Sequence, residues 1–395
     1  MWKARGARDL TRRSLDGMAG AGYNTYAKTT GNVFFFNKTN DTVPETRPKR
    51  YEMECLFSGS KYFFNVRQCF GRDAGFFEAR IKRMGEAAMQ FAKRCVSHVR
   101  KVIIRDQRRR RRKRKRAYQA RILPEALALI ASKALEFGLN REARERKITV
   151  SLASYPARFK TLDVVLKRLL DQTMKPDRLI LYLDDFTHPS EVPGAVLDLT
   201  RYGLEIRYVP HNLKPHKKYF FAMQEYPEDV VITVDDDTVY PRALVETLVA
   251  SWRRFPDCVS ALRAHKITFG HDGKIRPYAE WEWECGERDH PSMRYVATGG
   301  CGVLYPPRSI APAAFDVEAI RETSLNNDDL WLKFMEVETG TRVVICGKQA
   351  LMDCVELQET QTTSLKEDNV SRGANARCFA ALMRRQGRSA KDFRA

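Results

Sequence analysis

The sequence lacks several features that would place it in a common protein class. No apolar run reaches about 18 residues, so no membrane-spanning helix is predicted. The first residues carry charge without an apolar stretch behind them, so a secretory signal is not expected. The nine cysteines form no CxxC pair, which disfavours a zinc site and a disulfide framework and favours reduced thiols in a cytosolic protein.

Two glycine-rich nucleotide-binding motifs are also missing. No GxGxxG follows a predicted strand and no GxxxxGK[ST] occurs, which disfavours a dinucleotide-dependent dehydrogenase and a P-loop NTPase. With 43% hydrophobic and 10% aromatic residues, the chain of 395 residues has enough apolar side chains to bury a core. At about 100–200 residues per domain, its length predicts two domains, or one large domain with an extension.

Positive charge is concentrated in the first part of the chain. The formal net charge is +20, from 69 Lys and Arg against 49 Asp and Glu. Residues 1–147 hold 36 basic and 14 acidic side chains, a net of +22, whereas the remaining 248 residues hold 33 and 35, a net of −2. The sequence therefore predicts a basic amino-terminal extension, residues 1–146, followed by a nearly neutral domain, residues 147–395, with a helical tail.

The extension is predicted to combine a loosely ordered start with a basic helix. The first 50 residues are expected to be loosely ordered, and two short strands are predicted around the Ser-Gly-Ser turn at 58–60. Apolar residues at helical spacing predict a helix over 76–105, which runs into nine consecutive Arg or Lys residues, Arg108 to Arg116. A second helix is predicted from Pro124 to Phe137, with Gly138 as its stop.

The run Arg108 to Arg116 has three interpretations. Like charges at neighbouring helical positions repel, so the run is either solvated or bound to an anionic partner. It is a nucleic-acid or nuclear-localisation patch, a segment attracted to an anionic membrane surface, or a solvated linker. Because no recognisable nucleic-acid-binding fold accompanies the run, we expect an anionic membrane surface rather than nucleic acid.

The neutral half alternates between strand and helix patterns. Buried strands are predicted at Ile148 to Leu152, Leu179 to Leu183, Leu204 to Val209 and Asp229 to Val234. Helices are predicted between them, at about 159–170, 190–201 and 217–225. This alternation predicts βαβ units and a parallel sheet with helices on both faces, which binds ligands at the carboxyl ends of its strands.

Three consecutive aspartates, Asp235 to Asp237, directly follow the fourth of these strands. Neighbouring carboxylates at the end of a buried strand cannot all stay ionised unless positive charge compensates them. Mg²⁺ or Mn²⁺ supplies such charge, takes oxygen ligands and can bridge a diphosphate. The structural alternative is an aspartate-rich turn that caps the following helix.

Five segments form an ordered set along the neutral half: Val150 to Phe159, Leu181 to Asp184, Thr233 to Thr238, Ala297 to Gly302 and Asn326 to Trp331. Together they resemble the GT-A glycosyltransferases, particularly bacterial family-2-like enzymes that use nucleotide sugars, over about residues 148–375. The resemblance implies a GT-A, Rossmann-like α/β domain. It also implies transfer of a sugar from a nucleotide diphosphate to a hydroxyl acceptor.

The resemblance assigns the metal and the general base to aspartates. Asp235 and Asp237 would bind Mn²⁺ or Mg²⁺. The family's usual base is the second carboxylate of an acidic pair, so Asp329 would take the proton of the acceptor hydroxyl, with Asp328 as the next candidate. The same Asn and Asp residues also make a good helix N-cap, and the two roles are compatible.

The resemblance also implies a set of donor-binding residues. They would contact the base, the ribose, the diphosphate and the donor sugar, and they are Ser154, Tyr155, Arg158, Asp184, Lys217, Lys218, Asp235, Asp236, Gly299 and Gly300. Among them, Lys217 or Lys218 is expected to meet the diphosphate, because a lysine is a point charge suited to phosphate. The glycines allow close approach of the backbone and would form the floor under the sugar or acceptor.

One family feature has no counterpart in the sequence. Many GT-A enzymes add a carboxy-terminal histidine as a metal ligand, and the chain has no histidine after His290. A carboxylate such as Asp353 is the candidate in its place. Aromatic faces for a sugar are offered by Tyr278, Trp281, Trp283 and Trp331, although such residues more often belong to the core.

The sequence thus predicts a cytoplasmic, metal-assisted glycosyltransferase, peripheral on the inner membrane face. It is expected to use a nucleotide-sugar donor and a glycan or lipid-linked acceptor in surface polysaccharide or glycolipid biosynthesis. Direct displacement would invert the anomeric centre, and retention stays open. The alternatives are a nucleotidyl- or phosphotransferase of similar α/β fold and a nucleic-acid-binding protein that uses the Arg/Lys run.

Overall fold

The computed structural model describes residues 23–29, 32–38, 51–57, 60–65, 86–357 and 373–394. The chain divides into two units, residues 1–113 and 114–395. Helix α1 (Glu86–Ser132) contributes residues to both units.

The first unit contains an antiparallel sheet of four strands, each paired with the next in the chain. They are β1 (Tyr23–Thr29), β2 (Asn32–Lys38), β3 (Tyr51–Phe57) and β4 (Ser60–Asn65). β3 and β4 confirm the predicted strand pair around residues 58–60. The expectation of a loosely ordered start is wrong for β1 and β2, because their Tyr, Thr, Val and Phe residues favour strands. β2 pairs with β1 and β3, and the pairing with β1 has a register shift between Tyr23 and Thr25.

Helix α1 is a single helix where the sequence predicts two. It runs through Pro124 and ends at Ser132, well before the predicted stop at Gly138. A proline inside a helix removes one backbone hydrogen bond. Here Leu127 and Ile130 pack against the core on the proline's carboxyl side, and this packing holds the last turns in the helix. Residues 76–85 of the predicted helix lie outside the described residues.

A mixed sheet of seven strands forms the centre of the second unit. In spatial order its strands are β14 (Val343–Ile345), β10 (Val259–Ala261), β13 (Val303–Tyr305), β8 (Val230–Thr233), β5 (Ile148–Ala153), β6 (Arg178–Asp184) and β7 (Leu204–Val209). Neighbours run parallel except β13, which is antiparallel to both β8 and β10. The parallel strands β7-β6-β5-β8 confirm the predicted βαβ units.

In its described residues this unit also has two short strand pairs and eight α-helices. The strand pairs are β9 (Thr238–Val239) with β15 (Val355–Glu356) and β11 (Ala264–Lys266) with β12 (Tyr295–Ala297). The helices are α2 (Leu162–Leu170), α3 (Gly194–Leu197), α4 (Lys217–Glu225), α5 (Leu244–Arg254), α6 (Val317–Thr323), α7 (Asp328–Thr339), α8 (Lys348–Asp353) and α9 (Ala374–Arg385). Among the described helices, none combines the length and the apolar character needed to cross a membrane.

Successive side chains of the central strands point to opposite faces of the sheet. In β6, Leu179, Leu181 and Leu183 belong to the buried cluster that contains the apolar side of α2 and α5. Ile180 and Tyr182 belong to a separate cluster with Ala222 of α4. Helices therefore cover both faces of the sheet. A polar ligand can bind only at the ends of the strands, where the sheet is not covered.

Candidate functional site

The predicted site residues lie where β5, β6 and β8 end at one edge of the parallel sheet. Ser154 directly follows β5, Asp184 is the last residue of β6, and Asp235 comes two residues after β8. Parallel strands bring their carboxyl ends to the same edge. Segments that are distant in the sequence therefore meet there.

Ser154 and Arg158 hold the second and third aspartates of the triplet. The Ser154 hydroxyl donates to Asp236 Oδ2 at 2.6 Å, and Arg158 Nη1 donates to Asp236 Oδ1 at 3.3 Å and to Asp237 Oδ2. Burial raises the pKa of Asp236 to about 7, and burial together with the charge of Asp235 raises that of Asp237. Two carboxyls of the triplet therefore bind protons more readily than free aspartates do.

Asp235 faces a different cation. Lys218 Nζ, at the start of α4, lies 2.6 Å from Asp235 Oδ1, and the Tyr240 hydroxyl accepts the Asp235 backbone N–H at 2.7 Å. Burial alone would raise the pKa of Asp235, but the charge and hydrogen bond of Lys218, assisted by Arg263 and Arg158, hold it below its usual range. Asp235 is therefore the ionised member of the triplet.

The first turn of α7 faces this triplet. Asn327 caps the helix by accepting the Leu330 backbone N–H at 2.9 Å, so the predicted N-cap is confirmed. Asp328 Oδ2 lies 3.0 Å from Lys218 Nζ, and Asp329 Oδ1 accepts the Gly299 backbone N–H at 2.8 Å. Burial and the charge of Asp328 raise the pKa of Asp329 to about 7. Asp329 is thus poised to take a proton near neutral pH.

Lys217 and Asp184 form a buried ion pair with each other. Lys217 Nζ lies 2.7 Å from Asp184 Oδ2, and the side chains are 3% and 5% exposed. Thr187 also donates to Asp184 Oδ1 at 3.2 Å. Lys217 and Thr187 together fix the orientation of the Asp184 carboxylate.

The glycine turn, Gly299 to Gly302, follows β12 and lies close to Asp235 of the triplet and to Asp329 of α7. A Cβ at Gly299 would come within 2.6 Å of Lys218 Nζ, and one at Gly300 within 2.7 Å of Arg263 Nη2 and 3.3 Å of Asp235 Oδ2. Arg263 in turn donates to the Thr298 hydroxyl at 2.6 Å. Sequence reasoning missed Arg263, since an arginine outside any recognised motif gives no signal of its own.

We expect Gly299→Ala to disturb the site. The added methyl would meet the Lys218 ammonium, which two carboxylates hold in place, so the unfolding free energy should fall by about 1–3 kcal/mol. Gly286→Ala is the matched control, because a Cβ there meets nothing within 4 Å. Thermal unfolding of the two variants checks the prediction, and equal melting temperatures would contradict it.

The acidic residue that joins the triplet from the carboxy-terminal side is Glu356 in β15. β15 pairs with β9, and Glu356 lies opposite Thr238. Burial, the charge of Asp235 and, to a smaller extent, the charge of Glu356 raise the pKa of Asp237, whereas Arg158 lowers it. Asp353 is instead engaged by the hydroxyl of Tyr118 in α1 at 2.7 Å and by Gln349 at 2.9 Å. Asp353, the residue that the sequence offers as a further metal ligand, therefore lies against α1, and Glu356 is the carboxylate whose charge reaches Asp237.

The aromatic candidates divide into core and rim. Trp281 and Trp331 are 0% and 1% exposed, and their indole N–H groups donate to backbone carbonyls, so the idea that they offer faces to a sugar is wrong. Tyr278 and Trp283 are half-buried, and Trp283 stacks on His265 at a centroid distance of 4.9 Å. Large apolar rings are more favourable in the core than on a wet surface.

A hydrogen-bond chain links Tyr278 to the cap of α7. Asn375, in the carboxy-terminal helix α9, donates to the Tyr278 hydroxyl at 3.0 Å and accepts from Asn327 Nδ2 at 2.7 Å. The helix that carries Asp329 is thus held from the carboxy-terminal tail. No pattern in the sequence points to this role of Asn375.

Residues 150–302 match the model of glycosyl transferase family 2. The matched range contains the triplet, Arg158, Lys218 and the glycine turn, and it ends before Asp329. This match and the mixed sheet with helices on both faces confirm the predicted GT-A α/β fold. A comparison with curated protein sequences finds no match.

Solved structures similar to the chain include two enzymes. One is a mannosyltransferase from Pyrobaculum calidifontis in complex with GDP-Man and Mn²⁺, with 13% identity, a TM-score of 0.40, and coverage of 71% of this chain and 75% of that one. The other is 4-diphosphocytidyl-2C-methyl-D-erythritol synthase from Anaerococcus prevotii, with 15% identity, a TM-score of 0.35, and coverage of 54% and 95%.

Proposed function

We propose that the chain, whose residues 150–302 match the model of glycosyl transferase family 2, is a glycosyltransferase. It moves a sugar from a nucleotide-diphosphate donor to a hydroxyl of a glycan or lipid-linked acceptor, in surface polysaccharide or glycolipid biosynthesis. The observation that carries the proposal is the meeting of the triplet Asp235 to Asp237 with Asp329 from α7 at the carboxyl edge of the sheet.

The donor's nucleoside would lie along the loop after β5. Tyr155 is 38% exposed, and the Arg158 guanidinium lies 5.8 Å from its ring centroid, so the two side chains offer a flat, cationic surface to a base and ribose. Asp236 and Asp184 stand beside this loop as hydrogen-bond acceptors for ribose and base. Gly299 and Gly300 would lie under the donor sugar, where side chains would obstruct it.

A divalent cation fits the donor set of the triplet. Asp235 and Asp237 are the more exposed carboxylates of the triplet, at 33% and 14%. Glu356 in β15, whose Oε1 lies 3.6 Å from Arg263 Nη1, is proposed as a further oxygen ligand. Oxygen-only ligands favour Mg²⁺ or Mn²⁺. Such a cation would restore the ionised form of Asp237, and when bound it would stabilise the charge of the leaving diphosphate.

Asp329 would act as the general base. Its carboxylate would accept the proton of the acceptor hydroxyl as that oxygen attacks the anomeric carbon and the bond to the diphosphate breaks. The Gly299 N–H fixes one carboxylate oxygen, which orients the group. Attack from the side opposite to the leaving group would invert the anomeric centre.

The proposal is tested with purified full-length protein, Mn²⁺ and a panel of nucleotide sugars. Release of nucleoside diphosphate, together with sugar on the acceptor, is the expected result. Transfer of nucleotide or phosphate to the acceptor would instead support the nucleotidyl- or phosphotransferase alternative. No donor turnover with any nucleotide sugar would contradict the proposal.

The basic run of α1 is proposed to bind an anionic membrane surface and place the enzyme at the inner face of the membrane. Six of its members are exposed: Arg109, Arg110, Arg112, Lys113, Arg114 and Arg116. Lys115 is half-buried, and its Nζ lies 3.9 Å from Glu284 Oε1. A basic residue near anionic lipid contributes about 1 kcal/mol. A solvated linker and a nucleic-acid site remain the alternatives.

We expect replacement of Arg112, Arg114 and Arg116 by Gln to weaken binding to vesicles of phosphatidylserine and phosphatidylcholine by about a hundredfold at low salt, in line with that contribution per residue. The control replaces the exposed Arg253, Arg254 and Arg308 in the same way and should bind like wild type. Vesicle cosedimentation measures both. If the wild-type protein does not bind these vesicles but binds oligonucleotides, the membrane proposal is contradicted.

A further inference from the structure

Lys218 lies between the two groups of carboxylates that the proposed reaction uses. It stands in the first turn of α4, and its side chain is 6% exposed. Its ammonium nitrogen lies 2.6 Å from Asp235 Oδ1 and 3.0 Å from Asp328 Oδ2. Asp235 belongs to the segment after β8 and Asp328 to the first turn of α7, so one side chain joins two elements that are far apart in the sequence.

The same ammonium lies against the glycine turn. A Cβ at Gly299 would come within 2.6 Å of Lys218 Nζ, and the Gly299 backbone N–H donates to Asp329 Oδ1. Asp329 is therefore held from two directions. Its neighbour Asp328 is tied to Lys218, and its own carboxylate is tied to the turn on which Lys218 rests.

The positive charge of the Lys218 ammonium offsets the negative charges of the aspartates around it. Asp235, Asp328 and Asp329 would repel one another across the site if all were ionised. Burial by itself would lower the pKa of Lys218, but the charges of these three aspartates raise it, so the ammonium stays protonated. An ammonium has three donors, and two of them are directed at carboxylates on different elements.

Resting on the proposed function, we infer that Lys218 is a positioning residue whose ammonium fixes the separation between the donor aspartate Asp235 and the helix that carries the base. This role differs from the diphosphate contact that the sequence suggests for Lys217 or Lys218. A misplacement of about 1 Å in a reacting constellation can cost about a hundredfold in rate, so such a tie matters for turnover.

The test compares Lys218→Met, Lys218→Arg and the matched control Lys214→Met. Lys214 precedes α4 and donates to Asn326 Oδ1 at 2.9 Å, so it also contacts the segment before α7, but through an amide. Three quantities are measured for each full-length variant: amide hydrogen exchange in the first turn of α7, affinity for a panel of nucleoside diphosphates with Mn²⁺, and turnover.

For Lys218→Met we expect exchange in the first turn of α7 to be faster by about tenfold or more, since a tie to that turn is lost. Turnover should fall by about a hundredfold, with Lys218→Arg restoring most of it because Arg keeps the charge. Nucleoside diphosphate affinity should change little. Lys214→Met should match wild type in all three measurements.

Unchanged exchange in Lys218→Met would overturn the inference, and so would an affinity loss beyond about tenfold, the size of a lost charge-assisted hydrogen bond, with turnover restored at saturating donor. If Lys218→Met does not fold, Asp328→Asn replaces one of the two carboxylates that face the ammonium by a neutral amide, which weakens the ion pair and should speed exchange in the same turn. A wild type that transfers no sugar would defeat the proposed function, whereas the exchange measurement would still decide the role of Lys218.

Discussion

Asp329→Asn is expected to lower kcat by about a thousandfold, within the range that a general base contributes. The amide keeps the shape of the carboxylate, and its oxygen can still accept the Gly299 N–H, so the fold of the site should survive. What it loses is the capacity to take the proton of the acceptor hydroxyl. Steady-state kinetics with saturating donor measure the effect, and donor affinity should stay near that of wild type.

The pH profile gives this prediction a second readout. Burial and Asp328 raise the pKa of Asp329 to about 7, and the ionised form is the base. In wild type, kcat/KM should therefore rise with pH through about 7 and level off above it. Asp329→Asn should lose that rise and keep only the residual rate at every pH.

Stability should change in the opposite sense to activity. The folded-state pKa of Asp329 is raised, so its contribution to stability is present below its unfolded pKa of about 4 and is lost as pH rises through about 7. A buried amide carries no such penalty at high pH. Asp329→Asn should therefore melt above wild type at pH 8 and close to it at pH 4.

Asp316→Asn is the matched control for Asp329→Asn. Asp316 also stands at a helix start, where it caps α6 by accepting the Ala319 backbone N–H at 2.9 Å, and asparagine caps equally well. Its kcat should equal that of wild type. If Asp329→Asn retains wild-type kcat and Asp328→Asn loses it, the general base is Asp328 and not Asp329.

The sheet and the contiguous parts of the site could be predicted from the sequence because their signals are local. The apolar runs of β5, β6, β7 and β8 and the amphipathic pattern of α4 each fall within a few consecutive residues. The triplet likewise follows its strand without a gap. Where the chemistry is carried by neighbours in the sequence, the pattern also shows which strand end they occupy.

The connection of α1 through Pro124 could not be predicted in the same way, because it depends on packing. Proline is a helix breaker in isolation, and the contacts of Leu127 and Ile130 with the core decide otherwise. Strands β1 and β2 were missed because polar Asn, Thr and Lys residues at their ends obscure the aromatic run between them.

The remaining parts of the site come from residues that only the fold brings together. Arg263, Glu356 and Asn375 lie in three separate segments, and none belongs to a recognised motif. Glu356 is placed by the pairing of β15 with β9, Arg263 by the pairing of β11 with β12, and Asn375 by the docking of α9 beside α7. The contacts between these residues depend on the tertiary structure, so their positions in the sequence alone do not predict them.

Asp237→Asn should abolish metal-dependent donor binding. Loss of a partner outside the ligand shell already costs about 10–100-fold in metal affinity, so loss of a direct ligand should cost at least about a hundredfold. With Asp235 engaged by Lys218, Asp237 is the carboxylate that a cation would convert from a proton-binding to an ionised group. Titration of wild type and variant with Mn²⁺ and a nucleoside diphosphate measures the loss, and transfer should fall in parallel.

The matched control for Asp237→Asn is an aspartate at the other end of β8. Asp229 immediately precedes β8, at its amino end, and is held by Arg178 and Thr149 much as Asp237 is held by Arg158. Because Asp229 is remote from the carboxyl edge, Asp229→Asn should keep wild-type Mn²⁺ affinity even if it unfolds more easily. A chelator should stop transfer by wild type, and added Mn²⁺ should restore it, but not in Asp237→Asn. If chelated wild type transfers sugar at its full rate, the aspartates serve the donor without a cation, with Arg158 and Lys218 as the positive charges of the site.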